Sequence, residues 1–296
     1  MKEHSVKSYK LKYIKFGTCS WKYDSWKGLI YPSNKKKFNY LSEYSRHFNT
    51  VEIDQWFWSL FPNTYKLPSE KDVIEYTNSV PENFKFTIKA PNTLTLTHHY
   101  KNDKNSSLIK NIYFLSVDTY TEFIQTLKPL WSKVGLIMFQ FSYLNKQMMS
   151  DQIEFLSILK HFLDKIEKPV PIAIEIRNPN YLNENYFSFL IQQKIYHVFL
   201  QGYYMPNVFT IYRKYKEYIQ GKVVIRLHGP NRNEIEIESG NRWDKIIAPK
   251  DQELYELVNM LQDLESRKIE TYVNVNNHYE GSAPLTIKRI QSLLNT

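Results

Sequence analysis

Residues 223–228 read Val-Val-Ile-Arg-Leu-His, and residues 172–177 read Ile-Ala-Ile-Glu-Ile-Arg. In both runs one parity is aliphatic throughout, while the other turns polar toward its end. Side chains alternate across a strand, so one set meets a covering layer and the other faces inward. Val223, Ile225 and Leu227 form the covered set of one run, leaving Val224, Arg226 and His228 inward. Ile172, Ile174 and Ile176 form that of the other, leaving Ala173, Glu175 and Arg177 inward. A strand that is buried outside and polar inside at its C-terminal end suits a parallel barrel, whose sites are built at that end.

Working outward, similar runs occur at residues 14–19, 50–54, 85–90, 135–141, 197–201 and 271–276. Helical spacing fills the gaps. Residues 151–166 place Ile153, Leu156, Leu159, Phe162 and Leu163 on one face, and residues 252–264 do so with Leu254, Leu257, Val258 and Leu261. Residues 116–127 and 183–191 carry weaker versions. Parallel pairing needs a long crossover after each strand, normally a helix. Eight such units predict a (β/α)8 barrel; the alternative, a doubly wound open sheet, usually has fewer. No linker or repeat interrupts the pattern, so a basic tail at 1–13 and one barrel domain at 14–296 are expected. Two connections are long, 92–111 and 229–248, and both leave strand C-termini. In the second, Glu234-Ile235-Glu236-Ile237-Glu238 alternates and reads as a small hairpin. Lys35-Lys36-Lys37 reads as the head of a helix.

Composition sets the outer bounds. The 296 residues are 42% hydrophobic and 16% aromatic, which fits one large globular core. The formal charge of +9 and pI near 9.2 favour anionic partners, although Lys2, Lys7, Lys10, Lys12 and Lys15 concentrate part of that charge in the tail. Cys19 is the one cysteine, which excludes an intramolecular disulfide and a cysteine-rich zinc site. No apolar stretch is long enough to cross a bilayer, and the N-terminus lacks an apolar signal core, so a soluble cytoplasmic protein is expected.

The same parity argument places polar groups inside six of the strands. Besides those above, Glu52 and Asp54, Thr87 and Lys89, Met138 and Gln140, and Tyr272, Asn274 and Asn276 point inward. Barrel interiors are normally apolar, and an unpaired buried charge costs several kcal/mol. These groups must therefore satisfy one another or meet a ligand. As a purely structural network, Lys89, Glu175 and Arg226 would share one layer, and Glu52, Gln140 and Asn274 another. As a site, Glu52 and Glu175 are the acid/base carboxylates and His228 a proton shuttle. Lys89, Arg177 and Arg226 would hold an anion, while Gln140, Asn274 and Asn276 orient hydroxyls or amides. Asp54 ranks behind them. Trp21, Trp26, Trp56, Phe57 and Trp58 follow the first two strands, where aromatic rings either stack ligands or seal the rim. No cofactor fingerprint is present. A divalent metal would have to draw on Glu52, Glu175, His228, His98 or His278, and the inward lysine and arginine side chains argue against it.

A series of motifs runs in order along the chain, beginning with Gly17-Thr18-Cys19-Ser20-Trp21 with Trp26 and Tyr31-Pro32, and Thr50-Val51-Glu52-Ile53. They continue through Phe84-Lys85-Phe86 with Lys89 and Pro91, Thr97-His98, Gln140-Phe141 and Glu175-Ile176-Arg177. Arg226-Leu227-His228-Gly229 and Asn276-Asn277-His278 with Gly281-Ser282-Ala283-Pro284 complete the series. Together these motifs resemble the YecE-like family, domain of unknown function 72. The resemblance implies a TIM barrel and marks Glu52, Lys89, His98, Gln140, Glu175, Arg177, Arg226, His228 and Asn276 as site positions. It implies no particular activity. The chain departs from the family at Asp54-Gln55-Trp56-Phe57-Trp58, where a small-Thr-Phe-Tyr segment is usual. It departs again at Gln201-Gly202-Tyr203, where an Asp-x-Pro motif is common.

The functional expectation is a hydrolase or lyase of a small anionic, phosphate- or sugar-containing substrate, with Trp21 and His98 among the binding residues. Two alternatives stand beside it: a non-catalytic nucleic-acid-binding barrel, and a glycosidase with Glu52 and Glu175 as paired carboxylates.

Overall fold

The structure is a computed structural model that describes residues 11–34, 37–100 and 107–295. Its first elements are β1 (Ile14–Thr18), α1 (Tyr40–Tyr44), β2 (Thr50–Ile53), β3 (Leu60–Phe61), β4 (Thr64–Tyr65) and α2 (Glu70–Ser79). Next come β5 (Lys85–Lys89), α3 (Asn92–Thr95), α4 (Val117–Thr126), β6 (Val134–Phe141), α5 (Gln152–Lys165) and β7 (Ile172–Ile176). The chain continues through α6 (Glu184–Gln192), β8 (Tyr196–Gly202), α7 (Val208–Tyr215) and β9 (Lys222–Gly229). It closes with α8 (Arg232–Ser239), α9 (Asp251–Ser266), β10 (Glu270–Val275) and α10 (Ala283–Leu294). One sheet takes the order β1-β10-β9-β8-β7-β6-β5-β2, and β3 and β4 make a separate antiparallel pair. This is the (β/α)8 barrel that the alternation predicts.

Two compact units divide the chain, one spanning Glu52–Val198 and the other the residues on either side of it. In the Glu52–Val198 unit, β5, β6 and β7 pair in parallel, with Lys89 beside Met138 and Gln140 beside Glu175. Helix starts are set by side-chain caps. Asp151 accepts from the Glu154 N–H at 2.9 Å, Ser116 from Thr119 and Asn183 from Tyr186. Such caps are worth about 1 kcal/mol each. Phe155, Leu159, Phe162 and Leu163 form the buried face of α5, where Phe162 meets Tyr120 and Phe139 in a ring cluster.

In the other unit β1 runs parallel to β10 and β10 to β9, placing Gly17 beside Asn274 and Asn274 beside Arg226. Leu254, Leu257, Leu261 and Leu264 of α9 are fully buried. Gly17 has no room for a side chain: a Cβ there would lie 2.1 Å from the Thr50 carbonyl oxygen.

One expectation is corrected. Residues 234–238 are not a hairpin but the body of α8. Asn231 accepts from the Glu234 N–H, Arg232 pairs with Glu236 one turn on, and Gly240 ends the helix in the left-handed conformation. Those local interactions outweigh a two-residue alternation of only five positions. The lysine run is only partly described. Lys35 and Lys36 lie outside the described residues, Lys37 is non-helical, and α1 starts at Tyr40 because Asn39 caps the Ser42 N–H. Most of the basic tail (residues 1–10) and the run Lys101-Asn102-Asp103-Lys104-Asn105 also lie outside the described residues. The 92–111 connection contains α3 and a bridge between His98 and Lys110. Among the described residues, no helix is long and apolar enough to cross a membrane.

Candidate functional site

In the Glu52–Val198 unit, Lys89, Gln140, Glu175 and Arg177 stand at the carboxyl ends of β5, β6 and β7. Glu175 is 1% exposed, a position at which an uncompensated carboxylate is costly. Arg177 compensates it: its Nε donates to Glu175 Oε1 at 2.9 Å and its Nη2 to Gln140 Oε1 at 3.1 Å. The parallel register makes this possible by setting Gln140 directly beside Glu175, so one planar guanidinium spans both strands. The Arg177 side chain remains 26% exposed. Lys89, the last residue of β5, rests its ammonium 3.8 Å from the centre of the Phe57 ring. An aromatic face attracts a cation without cancelling its charge. Glu52 is fully buried on β2.

The aromatic segment after β2 splits three ways. Trp56 is buried and stacks on Tyr76, Phe57 is buried beneath Lys89, and Trp58 is 67% exposed. The Trp58 ring pairs with the exposed ring of Tyr100 at 5.8 Å. Burial pushes the Tyr100 hydroxyl pKa up, while the positive charge of Arg177 pulls it back. His98 lines a cleft of about 300 Å3 between the loops that follow β5 and β6, with Tyr100, Ser142, Tyr143 and Asn145. Its Nδ1 meets Thr97 Oγ1 at 3.0 Å, and burial, reinforced by Lys110, holds its pKa below the usual imidazole range.

The other unit has its own cluster at the ends of β1, β9 and β10. Arg226 and His228 are buried on β9, and Asn274 is fully buried on β10. His228 Nε2 lies 3.6 Å from Cys19 Sγ, and its Nδ1 lies 3.2 Å from the Tyr203 hydroxyl. Cys19 is fixed by its own N–H, which donates to Val275 at 2.9 Å, and its thiol approaches the Asn274 carbonyl at 3.7 Å. Tyr203 reaches His228 because β8 ends in Gly202. There φ is +132°, and a Cβ would meet the Gly229 carbonyl at 2.4 Å.

Beyond these, Asn276 accepts from the backbone N–H of His278 and faces its Nδ1. Glu236 accepts from both His278 Nε2 at 3.0 Å and Arg232 at 2.8 Å. The Arg232 hydrogen bond is the main cause of the lowered Glu236 pKa. His278 is held below its ordinary value by burial, against the pull of Glu236. Trp21 is 6% exposed, and its carbonyl accepts the Tyr31 hydroxyl.

The structure thus joins Gln140, Glu175 and Arg177 by direct contacts in one unit, and His228 with the Asn274 backbone through Cys19 in the other. Among the described residues, no three His, Cys, Asp or Glu side chains come together in a way that could hold a metal ion. The sequence reading quoted Cys19 and Tyr203 but placed neither beside His228, although a signal for Cys19 existed. It follows Gly17 by two, and Gly17 is the register partner of inward Asn274.

A (β/α)8 barrel with polar clusters at its strand ends defines a class rather than an activity, and comparison with known proteins narrows it. The profile of the family "Protein of unknown function DUF72" matches residues 15–296, and the chain belongs to that family. It is similar to UPF0759 protein YunF of Bacillus subtilis, 23% identical over 276 residues and 90% of each chain. UPF0759 protein YecE of Escherichia coli is 24% identical over 168 residues, which is 57% of this chain and 50% of that one. Among solved structures, a DUF72 family protein of Thermotoga maritima aligns with a TM-score of 0.66 at 21% identity, covering 96% of this chain and all of the other. A DUF72 family protein of Enterococcus faecalis gives 0.65 at 22%, covering 96% of each. These structures support the fold.

Proposed function

We propose that the chain is a hydrolase or lyase acting on an anionic, phosphate- or sugar-containing substrate at the carboxyl ends of β5, β6 and β7. The observation that carries this reading is Arg177. A guanidinium held in place by a buried carboxylate and an amide, yet a quarter exposed, is a fixed positive group at the strand ends that an anion can approach from solvent. Lys89 adds a second positive charge from the next strand but one, steadied by a ring. Gln140 orients the guanidinium. Glu175 and Glu52 are the acid/base candidates, buried where a carboxylate can be kept dry for proton transfer. The rings of Trp58 and Tyr100 would cover the apolar face of a sugar or base.

The test is a thermal-shift screen against phosphorylated sugars, nucleotides and oligonucleotides, run on the native chain, Arg177→Ala and Glu175→Gln. A ligand at about a hundred times its Kd contributes roughly 2.7 kcal/mol, enough to raise the native Tm by several degrees. The expected hit stabilises the native protein and loses most of that effect in Arg177→Ala. A hit that stabilises Arg177→Ala equally, or no hit at all, overturns the reading. A second reading, binding of single-stranded nucleic acid without chemistry, is favoured by the exposed Trp58–Tyr100 pair alone. It predicts an oligonucleotide hit whose affinity falls steeply with salt and that weakens in Trp58→Ala.

A further inference from the structure

We propose that Cys19 and His228 form a nucleophile–base pair, with Tyr203 as the positioning residue, that accepts activated acyl groups such as carboxylic esters or thioesters. The pair belongs to the unit outside Glu52–Val198, so it stands or falls independently of the anion cradle.

Three observations carry it. A nucleophile, a base and an orienting group lie in series: Sγ to Nε2 at 3.6 Å, and Nδ1 to the Tyr203 hydroxyl at 3.2 Å. That series is the geometric signature of an activated nucleophile. The main chain of each member is anchored in the sheet or against it. Cys19 is tied through its N–H to β10, His228 sits inside β9, and Tyr203 donates its N–H to Gly229 at 3.2 Å in a left-handed conformation (φ +54°). Finally, the three groups come from the ends of three different strands, β1, β9 and β8, at the carboxyl face where barrel chemistry is normally placed.

The series works with one tautomer of His228. When the Tyr203 oxygen accepts from Nδ1–H, Nε2 carries the lone pair and faces the thiol. In the first step the thiol proton passes to Nε2 as sulfur bonds to the acyl carbon. The carbon–oxygen bond of an ester then breaks, and the proton on Nε2 goes to the departing alkoxide. Water attacks the resulting thioester, giving its proton to Nε2. The carbon–sulfur bond breaks, the carboxylic acid leaves, and the proton returns to sulfur. No oxidant or metal enters the balance. The competing reading is an inert buried thiol that donates to the Asn274 carbonyl at 3.7 Å.

Because Cys19 is the one cysteine, any thiol adduct reports on it alone. The experiment treats the full chain with p-nitrophenyl acetate, follows p-nitrophenolate release and locates the acetyl group by mass spectrometry. The expected result is a burst of one equivalent with acetyl on Cys19, absent in Cys19→Ser and slower by about a hundredfold or more in His228→Gly. Free imidazole should restore part of the His228→Gly rate. Tyr203→Phe should move the His228 nitrogen signals away from the Nδ1–H tautomer in 15N NMR. A second measurement needs no variant: the native thiol should be acetylated faster than the same thiol in the urea-unfolded chain. Slower acetylation of the native thiol, or a His228→Gly protein that is folded and fully reactive, overturns the proposal.

Discussion

At the scale of single residues, burial decides which polar groups titrate and which are locked. His197 on β8 shows this in its simplest form. It is 4% exposed, its Nδ1 meets the Tyr186 hydroxyl at 3.1 Å, and burial drives its pKa down to about 3, with the Glu175 charge opposing. The unfolded chain takes up a proton on this imidazole near pH 6.5, whereas the folded chain resists until about pH 3. Its contribution to stability is therefore complete above the ordinary imidazole range. It is lost progressively as pH falls from about 6.5 toward 3. The Tm of the native protein should fall over that window by more than the Tm of His197→Gln, and parallel curves would refute the assignment. Glu175 illustrates the limit of sequence at this scale. Its inward parity was readable from the Ile-Ala-Ile-Glu-Ile-Arg run, but its union with Gln140 depends on the register between β6 and β7. No property of either strand alone dictates that register. Tyr203 was harder still, because it follows its strand by one residue and arrives through a glycine turn.

Among the elements, α8 shows why a short pattern can mislead. Ile235 and Ile237 are two apart, which reads as one face of a strand, yet Ile235 is buried and Ile237 is 80% exposed. A helix rotates them roughly 200° relative to each other, so both burials are satisfied. The helix is short enough that its ends matter as much as its face. Gly240 adopts φ +56° with no atom within 4 Å of a built Cβ, so Gly240→Ala meets only the backbone penalty, about 1 kcal/mol. Asn231→Ala removes the start signal at similar cost. Either change should speed hydrogen exchange of the 234–239 amides by about fivefold to tenfold without affecting α9. Unchanged exchange in both variants would mean that tertiary packing, not capping, holds α8. The longer helices were legible because their apolar stripes extend over three turns or more, as in α9; in α5 Leu159, Phe162 and Leu163 are buried as read, whereas Ile153 is 79% exposed. The helices α2, α7 and α10 were not singled out; α2 has only Val73 fully buried within it.

For the molecule as a whole, the eight strands of the barrel sheet were readable in order, while α8 and the antiparallel β3–β4 pair were not. The division into two compact units was not, since no change of composition marks Glu52 or Val198. Charge behaves similarly: +9 in total says that anions are welcome but not where. Register sets Lys89 beside Met138 and Gln140 beside Glu175, so residues scattered in the sequence come to the ends of successive strands. The function stays one level further away, because barrels of one family can carry different chemistries on the same strand ends.

The Gly17 contact has a consequence for anyone reshaping this protein. With the Thr50 carbonyl occupying the space of a methyl group, the first two strands meet through bare backbone. In a saturation library selected for soluble expression, position 17 should return glycine and essentially nothing else, alanine included, while half-buried Lys15 two residues earlier accepts many substitutes. Recovery of Gly17→Ala at wild-type frequency would show that β1 can move aside. Until then position 17 is the wrong place for a label, a graft or a new ligand.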